Sequence, residues 1–235
     1  MTAVPALVIA GPGTNRDRDL SLALEMAGAD PTVVLASEIA AHPDLLSRAR
    51  LLAVAGGFSY GDALGAGRML ALDLAVGLGD ALQTFVASGR PVIGICNGFQ
   101  VLTRAKLLPG ALGHNASGRF DCRWVALEVE SSTRCVWTAG IDTSIHCPIA
   151  HGEGRYVHPD PDSLAAAGQI ALRYRSTNPN GSVADIAGVC NADGNVLGLM
   201  PHPENAIVPR QHPGRDPDHL GLQLFRNGVA AAAET

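Results

Sequence analysis

The segment Pro91-Val-Ile-Gly-Ile-Cys-Asn-Gly-Phe-Gln100 is an apolar run that stops abruptly at Cys96. Gly94 and Gly98 stand two residues to either side of the cysteine, the G-x-nucleophile-x-G pattern of a tight strand-to-helix elbow. Such a turn lifts the thiol above the sheet and aims it at a helix N-terminus. There the helix dipole favours the thiolate, and the amide of Asn97 can face an oxyanion. The same spacing also fits a cysteine packed in a core strand, the commoner state of a free thiol. A nucleophile needs a base, and the base needs an orienting group. Pro201-His202-Pro203-Glu204 offers both. Pro203 holds His202 extended, and side chains two apart in an extended segment point the same way, which sets Glu204 beside His202. Taken alone, an H-x-E segment describes an exposed turn or half of a metal site equally well.

A third element is Gly56-Gly57-Phe58-Ser59-Tyr60-Gly61-Asp62, directly after an apolar run. Two glycines at a strand's carboxyl end let the backbone approach a ligand, so the amide of Gly57 or Phe58 is a candidate second oxyanion donor; a plain glycine-rich turn is the alternative. Gly11-Pro12-Gly13 lacks the third glycine of a dinucleotide fingerprint, and no G-x-x-x-x-G-K-[ST] occurs, so no nucleotide site is legible. His146, Cys147 and His151 could be imagined around zinc, but their spacing differs from the usual ligand pairs.

The elements that must position these residues follow from hydrophobic patterning. Short apolar runs at 4–10, 32–36, 51–55 and 91–95 read as buried parallel strands, and 15–27, 44–48 and 70–88 read as helices between them. That alternation predicts an α/β fold, a central parallel sheet with flanking helices and ligand loops at the strands' carboxyl ends. The second half reads differently: strands at 122–130, 133–138, 144–149, 170–174, 183–191 and 195–200, helices at 161–167 and 218–230, and an Asp193-Gly194 hairpin turn. These predict an additional antiparallel layer on a single domain spanning 1–235.

Composition bounds the function. Of 235 residues, 47% are hydrophobic and 17% charged, which excludes disorder. Lys and Arg number 17 against 22 Asp and Glu, a net charge of -5 that disfavours nucleic-acid binding. The opening MTAVPALVIAGPG has no basic n-region, and no apolar run is read as long enough for a membrane helix, so a cytoplasmic protein without membrane association is expected. Five widely spaced cysteines, Cys96, Cys122, Cys135, Cys147 and Cys190, fit free thiols in a reducing compartment.

Taken in order, P-G-T-N-R-D-R-D (12–19), G-G-F-S-Y-G-D (56–62), G-I-C-N-G-F-Q-V-L (94–102), R-F-D-C-R-W-V (119–125), P-I-A-H-G-E-G-R (148–155), N-P-N-G-S (178–182) and G-L-M-P-H-P-E (198–204) resemble a known set of motifs. The chain is similar to the class I glutamine amidotransferases, and more narrowly to the glutaminase subunits (subunit I) of phosphoribosylformylglycinamidine synthases. The resemblance implies a flavodoxin-like sheet and a triad of Cys96 as nucleophile, His202 as base and Glu204 as its orienter. It implies oxyanion-hole amides from Gly57 and Asn97, and substrate contacts from Gln100, Asn115 and Phe120. His151 lies in a family motif, with a structural, subunit-contact or catalytic role left open. The implied activity is hydrolysis of L-glutamine to glutamate and ammonia. No cofactor is expected in this chain; ATP and magnesium belong on a large synthetase subunit, with a small bridging subunit beside it. The chain departs from the pattern at Gly65, Arg16 and Asn205, where the family commonly has a basic residue, a small residue or cysteine, and arginine; the first and third touch docking. A class I amidotransferase subunit of another synthase, a cysteine hydrolase of a related fold, or an amidotransferase-like subunit without activity are the rival readings.

Overall fold

The computed structural model describes residues 3–235; Met1 and Thr2, which open the segment read for a leader, lie outside the described residues. Among the described residues eleven strands form: β1 Val4–Ala10, β2 Ala29–Leu35, β3 Leu51–Val54, β4 Val92–Ile95, β5 Ala111–Gly113, β6 Asp121–Val129, β7 Ile145–His151, β8 Arg155–Val157, β9 Ile170–Arg175, β10 Ile186–Cys190 and β11 Val196–Leu199. The helices are α1 Asp17–Met26, α2 Ala36–Ala41, α3 Asp44–Arg48, α4 Arg68–Ala87, α5 Asn97–Arg104, α6 Pro161–Ala166 and α7 Leu222–Glu234. Nine strands share one sheet in the order β2-β1-β3-β4-β11-β10-β9-β6-β7, and β5 pairs with β8 in a separate ribbon.

From β2 to β11 the neighbours are parallel, and from β11 to β7 they are antiparallel. The α/β class and the parallel core with flanking helices are therefore as expected. The antiparallel strands extend the same sheet edge to edge instead of stacking on it as a layer. Fully buried Leu51, Leu52, Val92, Ile93, Val196 and Leu197 explain why β3, β4 and β11 are continuous apolar runs, since strands covered on both faces have no solvent side to alternate with.

Two further sequence expectations are corrected. Residues 133–138 form no strand but a turn ending in a short 3-10 segment, Val136–Thr138. Their amides bond to loops, Arg134 to the Gly168 carbonyl and Val136 to that of Gly194, while the buried Trp137 indole donates to Asn195 O at 3.1 Å. Helix α7 begins at Leu222 because the residues ahead of it tie down a loop, His219 O accepting from the amide of His146. Helix α4, 20 residues long, is apolar enough by length and composition to cross a membrane, but Asp73 and Asp80 interrupt it and no unbroken apolar run of that length occurs. Here it packs on the sheet, burying Leu70, Leu74, Leu78, Leu82 and Phe85.

Candidate active site

The parallel pairing decides where the chemistry lies. Strand β4 sits between β3 and β11, with Ile95 opposite Leu199 and Gly94 opposite Val54. The carboxyl ends of these three strands therefore deliver Gly56–Gly57, Cys96 and the His202–Glu204 turn to one place, although they are far apart in sequence.

Cys96 is the elbow itself. Its backbone has φ 52 and ψ -104, a strained conformation for a residue with a Cβ, held by Cys96 N donating to Leu199 O at 2.8 Å and by Gln100 N donating to Cys96 O at 3.1 Å. The elbow needs Gly98 because a Cβ there would fall on the carbonyl of Val54 in β3, which brings α5 against the sheet. Cys96 is 7% exposed, and its Sγ reaches toward Ala150 O at 3.9 Å. The amide of Asn97 is the first in α5 and has no carbonyl within the helix to bond.

His202 and Glu204 are buried, and His202 Nδ1 meets Glu204 Oε1 at 2.6 Å. The backbone amide of His202 donates to Pro148 O at 2.8 Å, anchoring the turn on β7. Burial opposes charge on His202, but the Glu204 carboxylate and then Cys96, by charge and hydrogen bond, outweigh it and push the imidazole up to about 10. At neutral pH the His202 ring therefore holds its proton. Gly56 makes room for the pair: a Cβ on it would lie 3.0 Å from the His202 ring and 3.5 Å from the Cys96 Cβ. Glu204 Oε2 is buried without a hydrogen-bond partner. The fully buried Cys147 thiol near it is raised well above its usual range by burial and then by Glu204.

A cavity of about 410 Å³ opens above the thiol, walled by Gly57, Asp62, Cys96, Asn97, Gln100 and His202 among others. Gly57 has φ +111 and bridges Thr14 across the cavity's edge. Asn97 ties the loop after β3 to the elbow: its Oδ1 accepts from Ser59 Oγ at 2.5 Å, and its Nδ2 donates to Asp62 Oδ1 at 3.2 Å and Gln100 Oε1 at 3.1 Å. A larger groove of about 830 Å³ between residues 128–144 and α7 contains none of these residues.

The other residues singled out by sequence divide. Gln100 lines the cavity, and its Nε2 donates to Glu153 O at 2.6 Å, so its amide shapes the far wall. Phe120 is at the mouth, exposed, its ring centroid 6.4 Å from that of Phe58. Asn115 is not brought to the cavity. Its Nδ2 donates to Arg119 O and His151 O, both at 2.9 Å, and its Oδ1 takes the Gly154 amide and the His151 ring, which leaves no atom free for substrate. His151 does line the cavity; burial and then His202 push it down to about 4, so it is neutral. His146 faces away from Cys147 and His151 on the alternating β7, toward His212 and His219, so the imagined zinc trio does not converge. Asp62 and Glu153 were quoted in motifs but given no role. Charged residues in glycine-rich loops read as solvated turns, and only the fold shows that both face the cavity.

Residues 3–230 match the family model described as a CobB/CobQ-like glutamine amidotransferase domain. A phosphoribosylformylglycinamidine synthase subunit PurQ from Treponema denticola is 43% identical, covering 95% of this chain and 97% of that protein. One of the same name from Dehalococcoides mccartyi is 38% identical over the full length of both. Among solved structures, PurLQS from Thermotoga maritima contains a chain similar at TM-score 0.82 and 38% identity, covering 97% of this chain and 98% of that one. A glutamine amidotransferase from the same organism shares the fold at TM-score 0.60 with 16% identity.

Proposed function

The chain belongs to the CobB/CobQ-like glutamine amidotransferase domain family, and within it we propose that Cys96, His202 and Glu204 are the triad that splits L-glutamine. It is a glutamine amidotransferase, the glutaminase subunit of a phosphoribosylformylglycinamidine synthase in purine biosynthesis. The observation that carries the triad assignment is the buried His202–Glu204 pair, 2.6 Å apart, at the end of the strand hydrogen-bonded beside the Cys96 elbow.

The sulfur, relieved of its proton by His202, attacks the side-chain carbonyl of glutamine. The oxyanion forms between the amides of Asn97 and Gly57, at a helix N-terminus where negative charge is favoured. His202 then gives its proton to the departing amine, releasing ammonia and leaving a glutamyl thioester. A water activated by the same imidazole hydrolyses the thioester to glutamate and frees the thiol. Glu204 keeps the Nδ1 proton of His202 in place throughout, so Nε2 is the atom that exchanges protons.

The 235 residues act as one domain with no cofactor of their own. Ammonia passes to a large synthetase subunit that holds ATP and magnesium and converts formylglycinamide ribonucleotide to formylglycinamidine ribonucleotide, with a small bridging subunit alongside. A cytoplasmic setting fits five cysteines that are all free. In the reconstituted complex, Cys96→Ala should abolish synthesis from glutamine and leave synthesis from added ammonium intact, because ammonia is the only material link between the two sites. Equal loss of both activities would make the thiol structural and refute the triad.

A further inference from the structure

The loop that follows β3 is built from conformations a chain avoids. Between residues 60 and 67, Tyr60, Asp62 and Leu64 have φ of 55, 55 and 64, and Gly61, Gly65 and Gly67 are also left-handed. Residues with a Cβ adopt such values at a cost and keep them only where the surroundings fix them. The bonds from Gly61 N to Phe58 O at 2.8 Å, Ala63 N to Tyr60 O at 3.1 Å and Gly65 N to Asp62 O at 2.9 Å close on the loop itself. They shape it without fastening it to anything else.

The fastenings are few. Asn97 on α5 holds Ser59 and Asp62, and Arg104 Nε donates to Ala66 O at 3.1 Å at the far end. Tyr60 N donates to Pro12 O at 2.5 Å, and Gly57, three residues earlier, bridges Thr14. The remaining one reaches α4: Tyr60 Oη donates to Asp73 Oδ2 at 2.5 Å. On the way the Tyr60 ring lies against Gly11, where an added Cβ would come within 3.3 Å of it.

The α4 end of this bond is a fixed post. Leu70, Leu74 and Leu78 bury the helix on the sheet to either side of Asp73. Only Arg68, Asp73 and Asp80 are charged among its 20 residues, and Asp73 makes no ion pair among the described residues. Its hydrogen bond, then burial and its charge, raise Tyr60 above the ordinary tyrosine range, so the hydroxyl stays the donor. Neither Tyr60 nor Asp73 lines the cavity above Cys96, so any influence on the chemistry passes through the loop.

We propose that Tyr60 and Asp73 are positioning residues whose bond holds the Gly57 amide on line for the oxyanion. The proposal rests on the glutaminase reading, with Gly57 as an oxyanion donor, and deepens it. With the Oη bond gone, the left-handed turn relaxes and pulls on the Pro12 and Thr14 contacts that set the Gly57 peptide. A donor displaced in this way forfeits part of the 10²–10³ that a whole one contributes, about tenfold in kcat. Bound glutamine is hardly affected, because the carbonyl oxygen takes its full charge only in the tetrahedral intermediate.

The test uses the full chain bound to its synthetase subunit. Tyr60→Phe and Asp73→Ala should each lower kcat for glutamine about tenfold with KM within about twofold of wild type. The double variant should be no slower than about twofold below either single one, since both remove the same bond. Asp73→Asn keeps an acceptor for the hydroxyl and should stay within about threefold of wild type. Alkylation of Cys96 by iodoacetamide, a displacement that develops no oxyanion, should be unchanged, as should synthesis from added ammonium. A wild-type complex that ignores glutamine refutes the glutaminase reading. Single variants with wild-type kcat, while Gly57→Ala is slow, refute the positioning pair alone; if Gly57→Ala is also fast, Gly57 leaves the oxyanion hole as well. Losses that multiply in the double variant, a KM that rises or an alkylation that slows in step with kcat, or an Asp73→Asn as slow as Asp73→Ala would each overturn the proposal. Tyr60→Phe and Asp73→Asn decide the matter if Asp73→Ala fails to fold.

Discussion

Glu204→Gln tests the electrostatics of the site with almost no change of shape. An amide oxygen can still accept from His202 Nδ1, so what is lost is the charge. His202 stands at about 10 against an ordinary 6.5, a difference worth on the order of 5 kcal/mol between its two protonation states. Glu204 is the largest of the influences that raise it, and burial works against them. Without the carboxylate, burial is opposed by Cys96 alone and His202 should titrate at least about three units lower, near or below 7, so that at neutral pH much less of the ring is protonated.

The direction in stability follows from the same shift. A pKa raised by folding contributes stability that is complete below about 6.5 and is lost as pH rises through about 10. Wild type should therefore lose stability between pH 7 and 10 relative to Glu204→Gln. The variant also places an amide N–H₂ where Oε2 has no partner, at a cost of about 1–3 kcal/mol. Histidine ring resonances would give the His202 titration, thermal unfolding across pH the linkage, and labelling of Cys96 by a diazoketone analogue of glutamine the reactivity at pH 7. Labelling should slow at least tenfold. An unchanged His202 titration, or labelling as fast as wild type, would show that Glu204 only fills space.

Legibility varied with the kind of interaction. Buried parallel strands announce themselves because both faces are covered, and the elbow announces itself because only glycine fits beside the Val54 carbonyl. The convergence of Cys96 with His202 was not available from spacing; it depends on β11 pairing with β4, a non-local choice that the motif resemblance supplied and the register explains. Residues 133–138 misled because Trp137 is buried for its indole and not as part of a ladder. Asn115 misled for a related reason: residue type shows that an amide has four hydrogen-bonding sites, and only the fold shows that all are used within the protein.

Two further substitutions probe the backbone that frames the thiol. Gly98→Ala drives a Cβ into the Val54 carbonyl of a central strand that cannot retreat, so a loss of at least about 3 kcal/mol, or roughly 10 °C in Tm, is expected by calorimetry. A variant as stable as wild type would mean that α5 can shift off the sheet. Gly57→Ala should act on turnover instead. With φ +111, an alanine is strained there, and its Cβ would lie 2.5 Å from Asn15 Oδ1 and 2.7 Å from Asn15 N. The side chain could rotate away, but the backbone nitrogen could not. The loop after β3 must therefore move from the 14–15 segment, and the Gly57 amide moves with it. If that amide is an oxyanion donor, its displacement acts on the tetrahedral intermediate and hardly on bound glutamine. The expected result is a fall in kcat of about 10²–10³ with KM within a few-fold of wild type and ammonium-dependent synthesis retained. The stimulation of glutaminase by the synthetase subunit should shrink as well, because a peptide reorientation at this glycine is the simplest way for a partner to switch the hole on. A variant with wild-type kcat, or one that raises KM alone, would remove Gly57 from the oxyanion hole.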